Sequence, residues 1–213
     1  MLANLFLHYA LDRWLATQFP AVSFERYADD AVLHCASKAE AETVLAALED
    51  RMAQVGLELH SDKTRIVYCK DGTRRGWHEH ERFTFLGYTF RPRLAKSKHG
   101  NLFLSFLPAV SDDAKKTIGQ EIRLWRINRR SNKTIDDLAR FINPIVQGWI
   151  NYYGRFYKSG LYPLLRRINE YLLRWATRKY KRLRGHLLRA VRWLRNVARR
   201  EPALFAHWRL VRP

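Results

Sequence analysis

The sequence predicts an α+β segment of β-hairpins packed on helices, followed by an all-α segment. Three observations lead there. Short β-prone runs separated by turn signals occupy residues 22–107, with a capped helix among them. From Ser111 onward the apolar residues recur at helical spacing. The charge balance shifts over the same stretch: residues 1–90 carry 10 Lys+Arg and 13 Asp+Glu, residues 91–213 carry 29 and 7, a net of −3 against +22. The boundary falls near 91–110, giving expected domains of 1–110 and 111–213.

Taken in order, Leu2, Leu5, Phe6, Tyr9, Trp14 and Leu15 fall near one face of a helix over Leu2 to Leu15. Val22–Tyr27 and Ala31–Cys35 are β-prone runs, and Ala28-Asp29-Asp30 between them reads as a tight hairpin. Ser37 with Glu40 is a capping box opening a helix through Val44, Leu45, Leu48 and Met52, which stops near Gly56. Leu57-Glu58-Leu59 and Arg65–Cys69 are expected strands flanking a polar loop, and Phe83–Phe90 a further strand. Lys98–Asn101 is a turn before the alternating run Leu102–Leu107. Ser111 caps a helix reaching about Arg130, and Thr134 with Asp137 caps a second that Pro144 and Gly148 are expected to kink. Pro163 suits the first turn of a third helix with Leu164, Leu165, Ile168, Leu172 and Trp175 along its stripe. Gly185 breaks it. A fourth, about His186 to Arg200, turns Leu187, Leu188, Val191, Leu194 and Ala198 inward and Arg189, Arg192, Arg195 and Arg199 outward.

The composition narrows the function classes. With 47% hydrophobic and 13% aromatic residues the chain is not disordered, and it has no apolar run long enough for a membrane span. No basic leader opens it, and two cysteines make neither a disulfide framework nor a four-ligand zinc site, which points to a reducing, cytoplasmic setting (bacterial cytoplasm or nucleoid, or an organelle). His78-Glu79-His80-Glu81 reads as an exposed loop without a third metal ligand in order. A net charge of +19 calls for a polyanion, since Lys and Arg on phosphates release condensed counterions. Nucleic acid fits the aromatic-rich helical half better than an anionic membrane does. The cations in view are Arg123, Arg126, Arg129 and Arg130 at the end of one helix, Arg155 and Lys158, then Arg174, Arg178, Lys179, Lys181, Arg182 and Arg184. Among the aromatics Trp149, Tyr152, Tyr153, Phe156 and Tyr157, most have core spacing and the rest are open to base stacking.

The adjacent acids Asp29 and Asp30 admit two readings: a solvated turn, or a pair whose mutual repulsion a divalent metal relieves. Their flank, Phe24-Glu25-Arg26-Tyr27-Ala28-Asp29-Asp30-Ala31-Val32-Leu33, resembles the YADD hairpin of group II intron reverse transcriptases. Leu57–Thr64 is similar to that family's next palm motif, Phe85-Leu86-Gly87-Tyr88 to the segment beside the primer grip, and Asn143–Tyr153 to the signature of the maturase-specific thumb. Four such motifs in the family's order cover nearly the whole chain.

The resemblance implies a partial reverse-transcriptase palm followed by a helical thumb and maturase domain. It further implies RNA-directed DNA synthesis with Mg²⁺ in a two-metal site, together with intron maturase activity. Asp29 and Asp30 would be catalytic metal ligands, and Lys63 would sit by the nucleotide's departing phosphates. Tyr27 and Ala28 would lie beside the primer end and incoming nucleotide, with Phe85 to Tyr88 at the primer. The implied partners are group II intron RNA, an RNA template paired with a DNA primer, and deoxynucleoside triphosphates. The family's upstream metal-binding aspartate and its fingers are not in this sequence, so the metal site is incomplete, and the chain is expected to be the C-terminal part of a longer polymerase with little activity alone. Ser61 stands where relatives often carry proline. The alternative is a non-enzymatic, RNA-binding splicing factor whose palm remnant is scaffold; a helical DNA-binding protein leaves the acidic hairpin unexplained.

Overall fold

The computed structural model describes residues 2–74 and 76–213. The chain is α+β: small antiparallel sheets and helices up to Val110, then helices. The first helix is α1 (Leu2–Leu7), a π-helical turn (His8–Asp12) and α2 (Arg13–Gln18) run together. The wide π-turn resets the helical face, so the expected stripe splits. Ala10, Leu11 and Leu15 are buried and Trp14 partly so, whereas Leu2, Leu5, Phe6 and Tyr9 remain exposed.

Strands β1 (Ser23–Tyr27) and β2 (Asp30–His34) pair antiparallel, with Tyr27 opposite Asp30 and Phe24 opposite Leu33. Alternation sends Phe24 and Leu33 onto a core of Leu11, Leu15, Val22, Val44, Leu48 and Met52. The last three belong to α3 (Lys38–Gln54). The Ser37 hydroxyl accepts from the Glu40 N–H at 3.1 Å, while the Glu40 carboxylate reaches the Ala36 N–H at 2.5 Å, one residue before the cap. The helix closes in a Schellman turn. Gly56, at φ +73°, and Leu57 donate to the Ala53 and Met52 carbonyls.

The strands expected at Leu57–Leu59 and Arg65–Cys69 do not form. Their β propensity finds no ladder: Tyr68 N–H meets the His80 carbonyl, and just beyond the stretch Gly72 N–H meets the Leu104 carbonyl, but no strand is built on these bonds. Phe83–Phe90 is a hairpin rather than one strand. Strand β3 (Phe83–Phe85) turns through Leu86 and Gly87 into β4 (Tyr88–Lys96), which pairs with β5 (Leu102–Val110). Both turn residues have positive φ, +49° and +76°, as a two-residue turn matched to strand twist requires.

The helical part contains α4 (Asp112–Leu124), α5 (Ile135–Tyr153), α6 (Tyr162–Lys179) and α7 (Leu187–Arg200), linked by 3₁₀ turns. Ser111 caps α4, and Thr134 with Asp137 completes a reciprocal capping box on α5. Helix α4 ends at Leu124 instead of reaching Arg130, because Arg126 adopts a left-handed conformation at φ +48°. Pro144 lies inside α5, which runs on to Tyr153. The core gathers Trp125, Ile142, Ile168, Leu172, Trp175 and Leu194, and the C-terminal Phe205, Trp208 and Val211 close it. Leu187 and Leu188, expected inward, are exposed at the open first turn of α7; Ala190, Leu194, Val197 and Ala198 form its buried stripe.

Candidate functional site

The acidic hairpin is the tip of the first sheet. Ala28 and Asp29 form its turn and Asp30 opens β2, so both carboxylates are exposed, as is the Tyr27 ring opposite Asp30. Neither acid forms an ion pair among the described residues. Ala28 takes φ +55°, a left-handed conformation that costs a side chain roughly 1–2 kcal/mol. Strain of this kind persists only where the surroundings impose it.

Arg26 imposes it. On the inward phase of β1, its guanidinium grips Asp12 with two bonds, Nε to Oδ1 at 2.6 Å and Nη2 to Oδ2 at 2.7 Å, and Nη1 donates to the Ala28 carbonyl at 2.7 Å. One side chain thus ties the turn carrying the acids to the π-turn behind it. The hydrogen bond from Arg26 holds the Asp12 carboxyl below its ordinary range, against the opposing effect of burial. Arg51 Nε fixes the same π-turn through the Ala10 carbonyl at 3.0 Å. On the outer face, His34 and Glu25 meet at 2.5 Å. Sequence reasoning missed Asp12 and Arg26. The available signal was an arginine at an inward position of an otherwise apolar strand phase, which requires a carboxylate nearby.

Lys63 is exposed in the turn His60–Thr64, where the His60 carbonyl accepts from the Lys63 and Thr64 N–H groups. No hydrogen bond or ion pair joins Lys63 to Asp29 or Asp30 among the described residues. The Phe85–Tyr88 turn faces the helical part. The Tyr88 hydroxyl donates to the Tyr152 carbonyl, the Tyr152 hydroxyl to the Leu86 carbonyl at 2.9 Å, and Ser111 N–H to the Gly87 carbonyl at 2.9 Å. Tyr88 packs among Tyr152, Tyr153 and Phe156 with ring centroids 5.2–5.8 Å away. Burial pushes the Tyr88 hydroxyl pKa up. A β-carbon on Gly87 would lie 2.8 Å from the Tyr153 hydroxyl, so only glycine fits.

Asp29 and Asp30 are hard oxygen donors of the kind Mg²⁺ accepts alongside water and phosphate oxygens. A two-metal centre needs a larger acidic set. Among the described residues no group of three or more His, Cys, Asp or Glu side chains converges. The donors present therefore do not fit a complete two-metal site. In the His78–Glu81 stretch the residues are spent locally: His78 stacks on Tyr68 at 3.8 Å and Glu81 pairs with Lys70 at 3.0 Å.

The cations divide into engaged and free. Arg130 donates to the Trp125 carbonyl at 2.8 Å and lies 4.7 Å over Phe141; Lys179 ties down the Ser131 and Lys133 carbonyls at 2.9 and 2.8 Å. Arg178 reaches the Asn128 carbonyl at 3.2 Å. Arg123, Arg126 and Arg129, from α4 and its following turn, line an open groove of about 410 Å³ together with Tyr171 and Arg174 of α6, the latter paired with Glu170 at 3.8 Å and lying 5.2 Å over the Tyr171 ring. Arg155, Lys158, Lys181, Arg182 and Arg184 are exposed. Of the aromatics weighed for stacking, Trp149 lies parallel to Trp125 at 5.4 Å and Tyr157 carries Arg93 at 5.2 Å, whereas Tyr152 and Phe156 are exposed.

With this geometry in place, the comparisons are specific. Residues 1–90 match the model of the reverse transcriptase (RNA-dependent DNA polymerase) family, and residues 115–193 that of the group II intron maturase-specific domain. No curated protein matches the chain.

Proposed function

We propose that this chain, which belongs to the group II intron reverse transcriptase and maturase family, holds RNA and a primer–template duplex with its helical half and presents two carboxylates of a nucleotidyl-transfer site on its first hairpin. Residues 1–110 act as palm and 111–213 as thumb and maturase domain. The supporting observation is the pairing of a strained acidic turn, braced by Arg26, with a half-chain of net charge +22. A groove whose Arg123, Arg126 and Arg129 have no ion-pair partner among the described residues favours phosphate. The partners are intron RNA, template–primer duplex and nucleotides. No helix among the described residues is long and apolar enough to cross a membrane, and we place this work in the cytoplasm.

Two carboxylates favour a second reading alongside the first, in which the 213-residue chain is a maturase-like RNA-binding factor and its palm is scaffold. Two assays test these readings. Filter binding of intron RNA over a salt series is expected to show affinity falling steeply as salt rises; salt-insensitive binding overturns the phosphate-binding argument. Primer extension on an RNA template with Mg²⁺ is expected to give no product with this polypeptide alone, and robust extension overturns the scaffold reading.

A further inference from the structure

We propose that the groove of about 430 Å³ lined by Arg182, Trp193, Asn196, Arg199 and Arg200 receives one unpaired nucleotide of bound RNA, its base on the Trp193 indole and its flanking phosphates on the arginines. The proposal rests on the reading that the helical half binds RNA. Trp193, Asn196 and Arg200 recur three and four residues apart on α7 and so share a face, with Arg199 beside them. Arg182 comes from the 3₁₀ turn Lys181–Leu183.

The indole is held from behind. Trp193 packs 5.2 Å from Tyr180 and 6.4 Å from Trp175, itself fully buried, so its partly exposed ring is rigid before anything binds. Trp125, Trp175 and Trp208 each donate their indole N–H to a protein acceptor. The Trp193 N–H has none among the described residues, and neither the Asn196 amide nor the Arg182, Arg199 and Arg200 guanidiniums form a hydrogen bond or ion pair there. Three uncompensated cations around one aromatic face repel each other until an anion arrives. The groove's volume lies in the range of about 300–1,000 Å³ typical of small-ligand sites. A paired base has both faces covered by its neighbours in the stack; an unpaired one can offer a face to the indole and an edge to the amide.

The test uses the full chain and two RNA hairpins, identical except that one carries a single bulged adenosine, in filter binding at several salt concentrations. The bulged hairpin is expected to bind about tenfold tighter, the scale of one base–aromatic stack. Trp193→Leu should bring the ratio close to one and Asn196→Ala should reduce it severalfold, each with little change for the unbulged RNA. Asn196→Ala keeps the test independent of packing, since Asn196 is exposed and alanine favours a helix. Equal, salt-dependent binding of both hairpins overturns the pocket and leaves the RNA-binding reading standing. Binding of neither overturns both. A tenfold preference that survives both substitutions also overturns the pocket.

Discussion

Gly87→Ala tests how the sheet meets the helical part. The substitution places a β-carbon at φ +76° and 2.8 Å from the Tyr153 hydroxyl, with the next ring atom at 3.5 Å. The left-handed conformation costs alanine roughly 1–2 kcal/mol, offset by about 0.5–1 kcal/mol of glycine's greater entropy in the unfolded chain. Displacing the phenol from its contacts with Tyr88 at 5.4 Å and Tyr152 at 4.8 Å adds about 1–3 kcal/mol, the ordinary cost of overpacking. The total is about 1–4 kcal/mol. Tyr153→Phe removes the clashing oxygen and leaves the 3.5 Å contact, which is ordinary. In that background the same glycine substitution should cost only about 1 kcal/mol, a coupling that a double-mutant cycle reads directly. Because the two cores can unfold separately, the assay is amide hydrogen exchange over residues 83–110, with intact-chain urea unfolding beside it. An unchanged exchange rate in Gly87→Ala, or a penalty that Tyr153→Phe does not relieve, refutes the steric account.

Other expectations follow from the hairpin and the buried tail. Asp12→Asn removes the charge that Arg26 grips; both side chains are mostly shielded, Asp12 at 20% and Arg26 at 12% exposure, so a loss of about 1–2 kcal/mol is expected after discounting for solvent access, seen as faster exchange in residues 23–34. Because the Asp12 pKa is lowered in the fold, its contribution is present above the ordinary value of 3.8 and lost as pH falls through the folded value, so the mutational difference should shrink at acid pH. Ala28→Gly should be tolerated without loss, while Ala28→Val should cost about 1–2 kcal/mol, since a branched side chain suits positive φ least; equal effects would remove the strain argument. His207 is buried, with Nε2 donating to Asn169 Oδ1 at 2.8 Å and a pKa pushed down to about 3 by burial. Its stabilising contribution is complete above pH 6.5 and declines by up to about 1.4 kcal/mol per pH unit below that, towards pH 3. A thermal scan from pH 7 to 4 should show the slope, and His207→Phe should flatten it.

Local chemistry was legible in the sequence and long-range pairing was not. The Ser37, Ser111 and Thr134 caps and the Pro163 helix start depend on residues within one turn of each other, and the structure has them all. The acidic hairpin was readable because alternation and a turn lie within about a dozen residues. Arg65–Cys69 misled because its composition is strand-like and composition carries no information about a partner. Phe83–Phe90 misled in the opposite direction: an apolar run concealed a turn whose only mark was Leu86-Gly87. The brace between Asp12 and Arg26 spans fourteen residues, and the inward arginine that calls for a carboxylate does not say which one.

The tyrosine contacts at the Phe85–Tyr88 turn have a mechanical consequence. Two hydroxyls donate in opposite senses across one seam, Tyr88 to the carbonyl of α5 and Tyr152 to the carbonyl of the turn, so neither side can slide without breaking both. The three-stranded sheet and the helical bundle are therefore clamped into one unit. Between that unit and the acidic hairpin's core, the described residues from Leu57 to Arg82 form neither helix nor strand.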